Sequence, residues 1–200
     1  MNQYLRYVLP LYVALYFIFL MLIRMITIRR QIGKNPIVLA TSDDAHGLIA
    51  MYFKLWMVLL GVYAAIVAIY PPIYARLMPM IHLESDALQI TGLIILSISL
   101  IWTYIAQAHM RTSWRVGIDQ KDKTELVTDG IFHWSRNPIY LGMIASMAGL
   151  FLVTPNVFTM LLAIVGFILV QVQVRLEEDF LYKSHGEDYL KYKRSVRRFI

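Results

Sequence analysis

Apolar residues in this chain run together in blocks of 16 to 22 positions, broken by short stretches of charge and turn formers. The blocks are Tyr7 to Ile26, Phe53 to Tyr70, Ala87 to Ala108, Ile139 to Thr154 and Val157 to Val174. A hydrocarbon layer ~30 Å thick takes about 20 helical residues to cross, so the pattern predicts about five transmembrane helices. The last two blocks are short and separated only by Thr154, Pro155 and Asn156. They read as a tight helical hairpin that need not cross the whole bilayer. Pro71 and Pro72 end the second helix, because proline lacks an amide donor and clashes with the preceding turn. Gly142 with Ser146, and Ala145 with Gly149, stand four apart, the small-residue spacing that lets helices approach closely in lipid.

Composition agrees: 58% of the residues are hydrophobic and 16% charged, and the mean hydropathy is +0.57, too apolar for a water-soluble surface. No repeat, low-complexity linker or compositional break divides the chain. It reads as one membrane domain over 1–200, with N-terminal helices over 1–108 and the chemistry in 109–200. The net charge of +6 lies between the apolar blocks instead of on one face, which argues against nucleic acid as a partner. Sixteen of the 19 Lys and Arg residues fall in the first loop, in 111–136 and in 175–198; Arg6 and Arg76 fall on the other side. Arg24 ends the first block and is long enough to snorkel. The positive-inside rule then places the N-terminus outside, and the 109–138 loop and C-terminal tail in the cytoplasm. With no cysteine there is no disulfide, thiolate nucleophile or cysteine zinc site. The five histidines lie far apart, and no metal site is expected. Asp43-Asp44 reads as a polar turn or helix cap.

Informative polar residues concentrate in two of the basic segments. Leu126 to Gly142 reads LVTDGIFHWSRNPIYLG: an extended run, a turn at Asp129-Gly130, then Arg136, Asn137 and Tyr140 at the mouth of a helix. Pro138 sits where a first-turn proline is tolerated. Arg175, Glu177, Glu178 and Asp179 emerge at the end of the last block, three-residue spacing putting Arg175 and Glu178 on a shared face. Ionisable groups at a membrane edge are functional candidates, and an interfacial salt-bridge cluster is the plain alternative. His185-Gly186 marks a helix end and Glu187 begins another helix, along which the spacing of Tyr189, Tyr192 and Val196 makes one apolar face, an interfacial anchor or a cover over a site at the membrane surface. Trp114 and Trp134 flank the first motif as candidate pocket walls.

Together these segments resemble the isoprenylcysteine carboxyl methyltransferase family and its relatives among phospholipid methyltransferases. The resemblance rests on Leu126-Val127-Thr128-Asp129-Gly130-Ile131-Phe132, on Arg136-Asn137-Pro138-Ile139-Tyr140, on Glu177-Glu178 with Leu181, and on Gly186 with Tyr189 and Tyr192, in order and spacing. It implies an all-α integral membrane protein with a cytoplasmic-side cofactor site formed by the 109–138 loop and the C-terminal helices. It further implies that Thr124, Glu125, Leu126, Val127, Phe132, Asn137, Pro138, Ile139, Tyr140 and Glu177 surround S-adenosylmethionine, and that an arginine faces the acceptor. Arg175 is that arginine by proximity to the glutamates, although a strict count back from Gly186 lands on Gln173. Phe132 stands for the family's tyrosine and Asn137 for its histidine.

Methyl transfer from a sulfonium is an in-line displacement, in which positioning supplies much of the acceleration. Aromatic faces suit the cation, and Glu177 suits the cofactor's amino or hydroxyl groups. A carboxylate acceptor, favoured here, needs only a pairing arginine; an amine or hydroxyl needs a base, for which Glu178 is the candidate. The acceptor is expected to be lipophilic and to come from the bilayer. A nicotinamide-dependent membrane lipid or sterol reductase of related architecture, and a non-enzymatic accessory protein, are the rival readings.

The charge distribution carries a direct test. Reporter fusions after Ile200 and in the loop around Arg76 should report opposite sides of the membrane, with the C-terminus cytoplasmic; the same side for both contradicts the topology.

Overall fold

The structure is a computed structural model that describes residues 4–37, 45–117 and 125–200. Among the described residues every regular element is helical. The first span is a continuous rod, α1 (Leu5–Phe17), a π-helical segment (Ile18–Ile23) and α2 (Arg24–Ile32), and it ends at Gly33 with φ of 70°. α3 (Ala45–Ile69) stops just before Pro71, and the single turn α4 (Ile73–Arg76) follows. α5 (Asp86–His109) starts at Ser85, whose side chain accepts from the Leu88 amide at 3.3 Å. α6 (Pro138–Val153) has Pro138 in its first turn, and α7 (Val157–His185) opens with a reciprocal capping box between Asn156 and Thr159. α8 (Glu187–Ser195) follows Gly186 directly.

The first rod, α3, α5 and α7 are each long and apolar enough to cross a membrane, and α6 is a shorter apolar helix of 16 residues. At ~1.5 Å per residue α6 spans only about 24 Å, as the short fourth block implied. α7 runs 29 residues, past the end of the apolar block at Val174 to the helix end read at His185-Gly186, and α8 begins at Glu187 as read from the sequence. Hydropathy marks the end of an apolar block, not of a helix. The acidic turn beyond Val174 stays helical because Glu177 and Glu178 find donors inside the fold.

Close approach governs the bundle. A Cβ on Gly92 would stand 2.8 Å from the carbonyl oxygen of Gly149, one on Gly149 3.0 Å from that of Gly92, and one on Gly142 would collide with Thr103 Oγ1. The small-residue spacing in α6 is thus the seam with α5. On α7, Gly166 similarly admits Met147 and Trp56, and Trp56 donates its indole N–H to the Leu162 carbonyl at 2.8 Å. Hydroxyls tie α1 to this pair: Tyr12 reaches Ser146 at 3.0 Å and Ser99 at 3.4 Å, while Ser99 and Ser146 are 2.8 Å apart. Ser146 therefore does more than leave room.

The two ends of the bundle differ. At one, the loop before α5 is stitched to the α6–α7 turn by Met80 N–H donating to Pro155 O at 2.8 Å, and in the same turn Asn156 Nδ2 donates to Tyr63 Oη of α3 at 3.1 Å. At the other lie the end of α2, residues 110–117 and 125–137, and the C-terminal tail. There Arg24 turns inward instead of snorkelling, donating to the carbonyls of Gln107 and Arg111 at 2.7 and 2.6 Å. The Gln107 carbonyl lies in the last turn of α5, where a helix needs outside donors, and that of Arg111 just beyond it. Asp43-Asp44 lies outside the described residues.

The glycine seam predicts Gly92→Ala to destabilise by ~1–3 kcal/mol through overpacking, read as a lower unfolding midpoint in detergent. Gly61→Ala, where a Cβ meets nothing within 4 Å, should be neutral or stabilising.

Candidate active site

The turn leading into α6 is shaped by Gly130, at φ +58°, where a Cβ would run into the His109 imidazole. A short 3₁₀ helix, Gly130–His133, then buries Phe132 and leaves Ser135 wholly buried. Trp102 donates to the Pro138 carbonyl at 2.8 Å and fixes the first turn of α6 to α5. Asn137 precedes that turn without capping it; its Nδ2 donates to the Arg198 carbonyl at 3.2 Å and to Glu178 Oε1 at 3.3 Å.

Glu178 sits at the centre. Its side chain is 5% exposed and accepts from Arg136 Nη2 at 3.0 Å, Arg198 Nε at 3.0 Å and Arg198 Nη2 at 2.9 Å, besides Asn137. Arg136 also donates to the carbonyls of Lys193 and Val196 at 2.7 and 2.8 Å, and its backbone N–H to that of Arg197 at 3.0 Å. One carboxylate thereby holds the turn before α6, the helix α7 and the C-terminal tail together. The hydrogen bonds from Arg198 to Glu178 raise the guanidinium pKa above its ordinary value.

Beside this clamp lies a cavity of about 90 Å³ whose walls include Leu126, Phe132, Arg136, Asn137, Glu177 and Tyr192. Tyr140 stands behind Glu177 and donates to its Oε2 at 2.8 Å. Tyr192 donates to the Phe132 carbonyl at 2.6 Å and packs edge-on against Tyr189. Tyr189 is 1% exposed and its hydroxyl has no hydrogen-bond partner among the described residues; the Nε–H of Arg136 is likewise buried and unpaired. Burial pushes the Tyr189 hydroxyl up to about 12. Spare hydrogen-bonding capacity therefore sits in and behind the cavity wall.

Of the residues singled out from the sequence, Glu125, Leu126, Val127, Phe132, Asn137 and Glu177 line this cavity. Pro138, Ile139 and Tyr140 form the first turn of α6 behind it, and Thr124 lies outside the described residues. Glu178 is in the clamp. Arg175 is not brought to either: it is exposed and donates to the Gln171 carbonyl and side chain at 2.6 and 2.9 Å. Two residues make about 200° of helical turn, so Arg175 and Glu177 leave α7 on opposite sides. Trp114 is buried beneath Arg24, with 6.0 Å between guanidinium and ring, and Trp134 is exposed; neither lines the cavity.

Sequence reasoning missed Arg198, which lies among other tail cations with nothing to distinguish it; it had Arg136 and Tyr192 in the motifs and Tyr192 on the covering face, without their partners. The available signal was Glu178 itself: a carboxylate on a buried helix turn demands cations. Among the described residues no cluster of three or more metal-ligating side chains occurs.

A family model described as phospholipid methyltransferase matches residues 88–188, half of the chain, from the start of α5 to the start of α8. No curated protein and no solved structure matches in the corresponding comparisons.

Removing the centre of the clamp leaves Arg136 buried without its counter-ion, a change that typically costs ~3–5 kcal/mol. Glu178→Ala should therefore speed amide hydrogen exchange across 187–199 while leaving α5 protected. Unchanged exchange in the tail would show that the clamp does not hold it.

Proposed function

The chain belongs to the phospholipid methyltransferase family, and from that premise we propose that it moves a methyl group from S-adenosylmethionine to a lipophilic acceptor at the basic end of the bundle. The observation that carries the reading is the Glu177 carboxylate, held by Tyr140 at 2.8 Å in the wall of a cavity also lined by aromatic rings. Membership of a methyltransferase family favours methyl transfer over hydride transfer. The proposed orientation puts this end, with the tail, in the cytoplasm, and one domain carries the whole activity.

The donor set fits the cofactor. Glu177 accepts from amino or hydroxyl groups, the unpaired Arg136 Nε–H offers a donor, and Phe132, Phe180 and Tyr192 offer π faces to a cation. The bound cofactor supplies an electrophilic methyl group on a sulfonium. The cavity is small beside the several hundred Å³ of typical small-molecule sites. Binding therefore requires the partly exposed run around Glu125 and Val127 to move outward from Glu177, with the clamp at Glu178 keeping the opposite wall in place.

Both oxygens of Glu178 are engaged by donors, which removes it as a general base. An acceptor already anionic, such as a carboxylate, needs no base and suits this site better than a protonated amine. Arg175, bonded to Gln171 on the far face of α7, plays no part in holding the cofactor.

Glu177→Gln removes a charge-assisted hydrogen bond worth ~1.5–3 kcal/mol and should weaken S-adenosylmethionine binding roughly ten-fold or more. Tyr140→Phe, which frees Glu177, should weaken it less, and Arg175→Ala should leave it within about two-fold. Titration calorimetry in detergent reads all three. Normal affinity in both Glu177→Gln and Tyr140→Phe would overturn the assignment, as would a folded wild-type protein that binds no S-adenosylmethionine or S-adenosylhomocysteine.

A further inference from the structure

A second cavity, of about 500 Å³, lies inside the membrane-spanning part between α1, α3 and α6. It is well within the ~300–1,000 Å³ of sites that take small organic ligands. Its α1 and α3 walls precede residue 88, outside the stretch matched by the family model.

Three features show that the volume is built into the chain. Its walls are small where a bundle could have been filled: Ala14, Gly61, Ala64 and Ala65 face it. Gly61 is unlike Gly92, Gly142, Gly149 and Gly166, each of which admits a neighbouring group too close for a Cβ; at Gly61 a Cβ meets nothing within 4 Å. Its missing side chain leaves space instead of bringing a helix closer. The stretch of α1 in the wall, Pro10 to Phe17, also runs from the helix's proline to the start of the π-helical segment. Proline lacks the amide donor of a helical hydrogen bond and a π segment locally widens the helix, so the stretch of α1 facing the cavity runs between a missing backbone donor and a change of helix type.

The mouth and the interior differ. Ala14, Phe17, Val58 and Ala65 line the cavity and are exposed on the lateral surface of helices that cross the bilayer, whereas Trp56, Ala64, Met147 and Leu150 are buried within. The polar side chains at the wall are already engaged: Tyr12 with Ser146, Trp56 with the Leu162 carbonyl and Tyr16 with Thr103. Nothing in the wall calls for a charged or strongly polar ligand, and the medium at the mouth is hydrocarbon. An apolar void of this size left empty would forfeit packing on every side.

We propose that this cavity seats one hydrocarbon chain of a bilayer lipid, entering sideways between α1 and α3 and completing the packing of the first span against α6. The seat lies deeper in the bilayer than the cavity at Glu177, and it stands or falls independently of the methyl-transfer reading.

Trp56 supplies the probe, since its ring is 6% exposed and lines the cavity. The protein is reconstituted in phosphatidylcholine vesicles with brominated acyl chains, and the Trp56 contribution to fluorescence is taken as wild type minus Trp56→Phe. That contribution should be quenched on exchange from unbrominated lipid, and Gly61→Leu should abolish about half or more of the quenching by filling the space. Independently, stripping lipid in detergent should lower the unfolding midpoint of wild type by several degrees and that of Gly61→Leu by clearly less. Absence of Trp56 quenching, equal quenching in Gly61→Leu, or equal sensitivity of the two proteins to lipid removal would each overturn the seat. Cofactor affinity, measured alongside, should be unchanged in Gly61→Leu.

Discussion

A carboxylate with 5% of its side chain exposed can keep its charge only if cations come to it, and at Glu178 that requirement organises the end of the bundle where the proposed chemistry lies. Arg136 and Arg198 arrive from segments 42 and 20 residues away along the chain. Each brings its backbone, so Lys193, Val196, Arg197 and Arg198 offer carbonyls to Arg136, Ser135 and Asn137. The tail is thereby shut against the turn that leads into α6, and Tyr189, Tyr192 and Val196 are pressed over Leu126 and Leu181. Remove the charge, and the aromatic face and the Tyr192 hydrogen bond to Phe132 would still favour burial, but the ionic link that joins the tail to α7 would be lost.

The division of labour between the adjacent glutamates follows from helix geometry. Consecutive residues on α7 diverge by about 100°. Glu178 therefore faces the tail and is consumed in structure, while Glu177 faces Tyr140 and the cavity with one oxygen engaged by that hydroxyl. Two identical side chains side by side in sequence thus differ in what remains available to a ligand. Arg175 lies about 200° from Glu177 around α7, so nearness in sequence does not bring it to the same cavity.

The spans were legible because hydrocarbon thickness imposes a length that composition reveals directly, and the glycine spacing in α6 correctly marked a close helix seam. The cavity wall from Glu125 to Phe132 with Asn137 and Glu177 was legible through an ordered motif, not through any single residue. What escaped was long-range pairing. Nothing local distinguishes Arg198 from Arg197, and nothing about Arg24 says that it ends as the cap of another helix. The end of α7 was legible through His185-Gly186 and not through hydropathy, whose apolar block stops at Val174.

The first span is fastened at two heights. Tyr12 meets the hydroxyls of Ser99 and Ser146 within the bundle, and Arg24, twelve residues on, grips one carbonyl in the last turn of α5 and one just beyond it. A lone helix in lipid is free to slide along its axis and to spin about it, and one anchor would stop neither motion fully. Two anchors on the same rod stop both: a shift of one residue would move each group ~1.5 Å and swing it about 100°, breaking every one of these bonds together. The depth and facing of α1 are thus fixed like a key held by two wards, and the wall it presents between them keeps one shape.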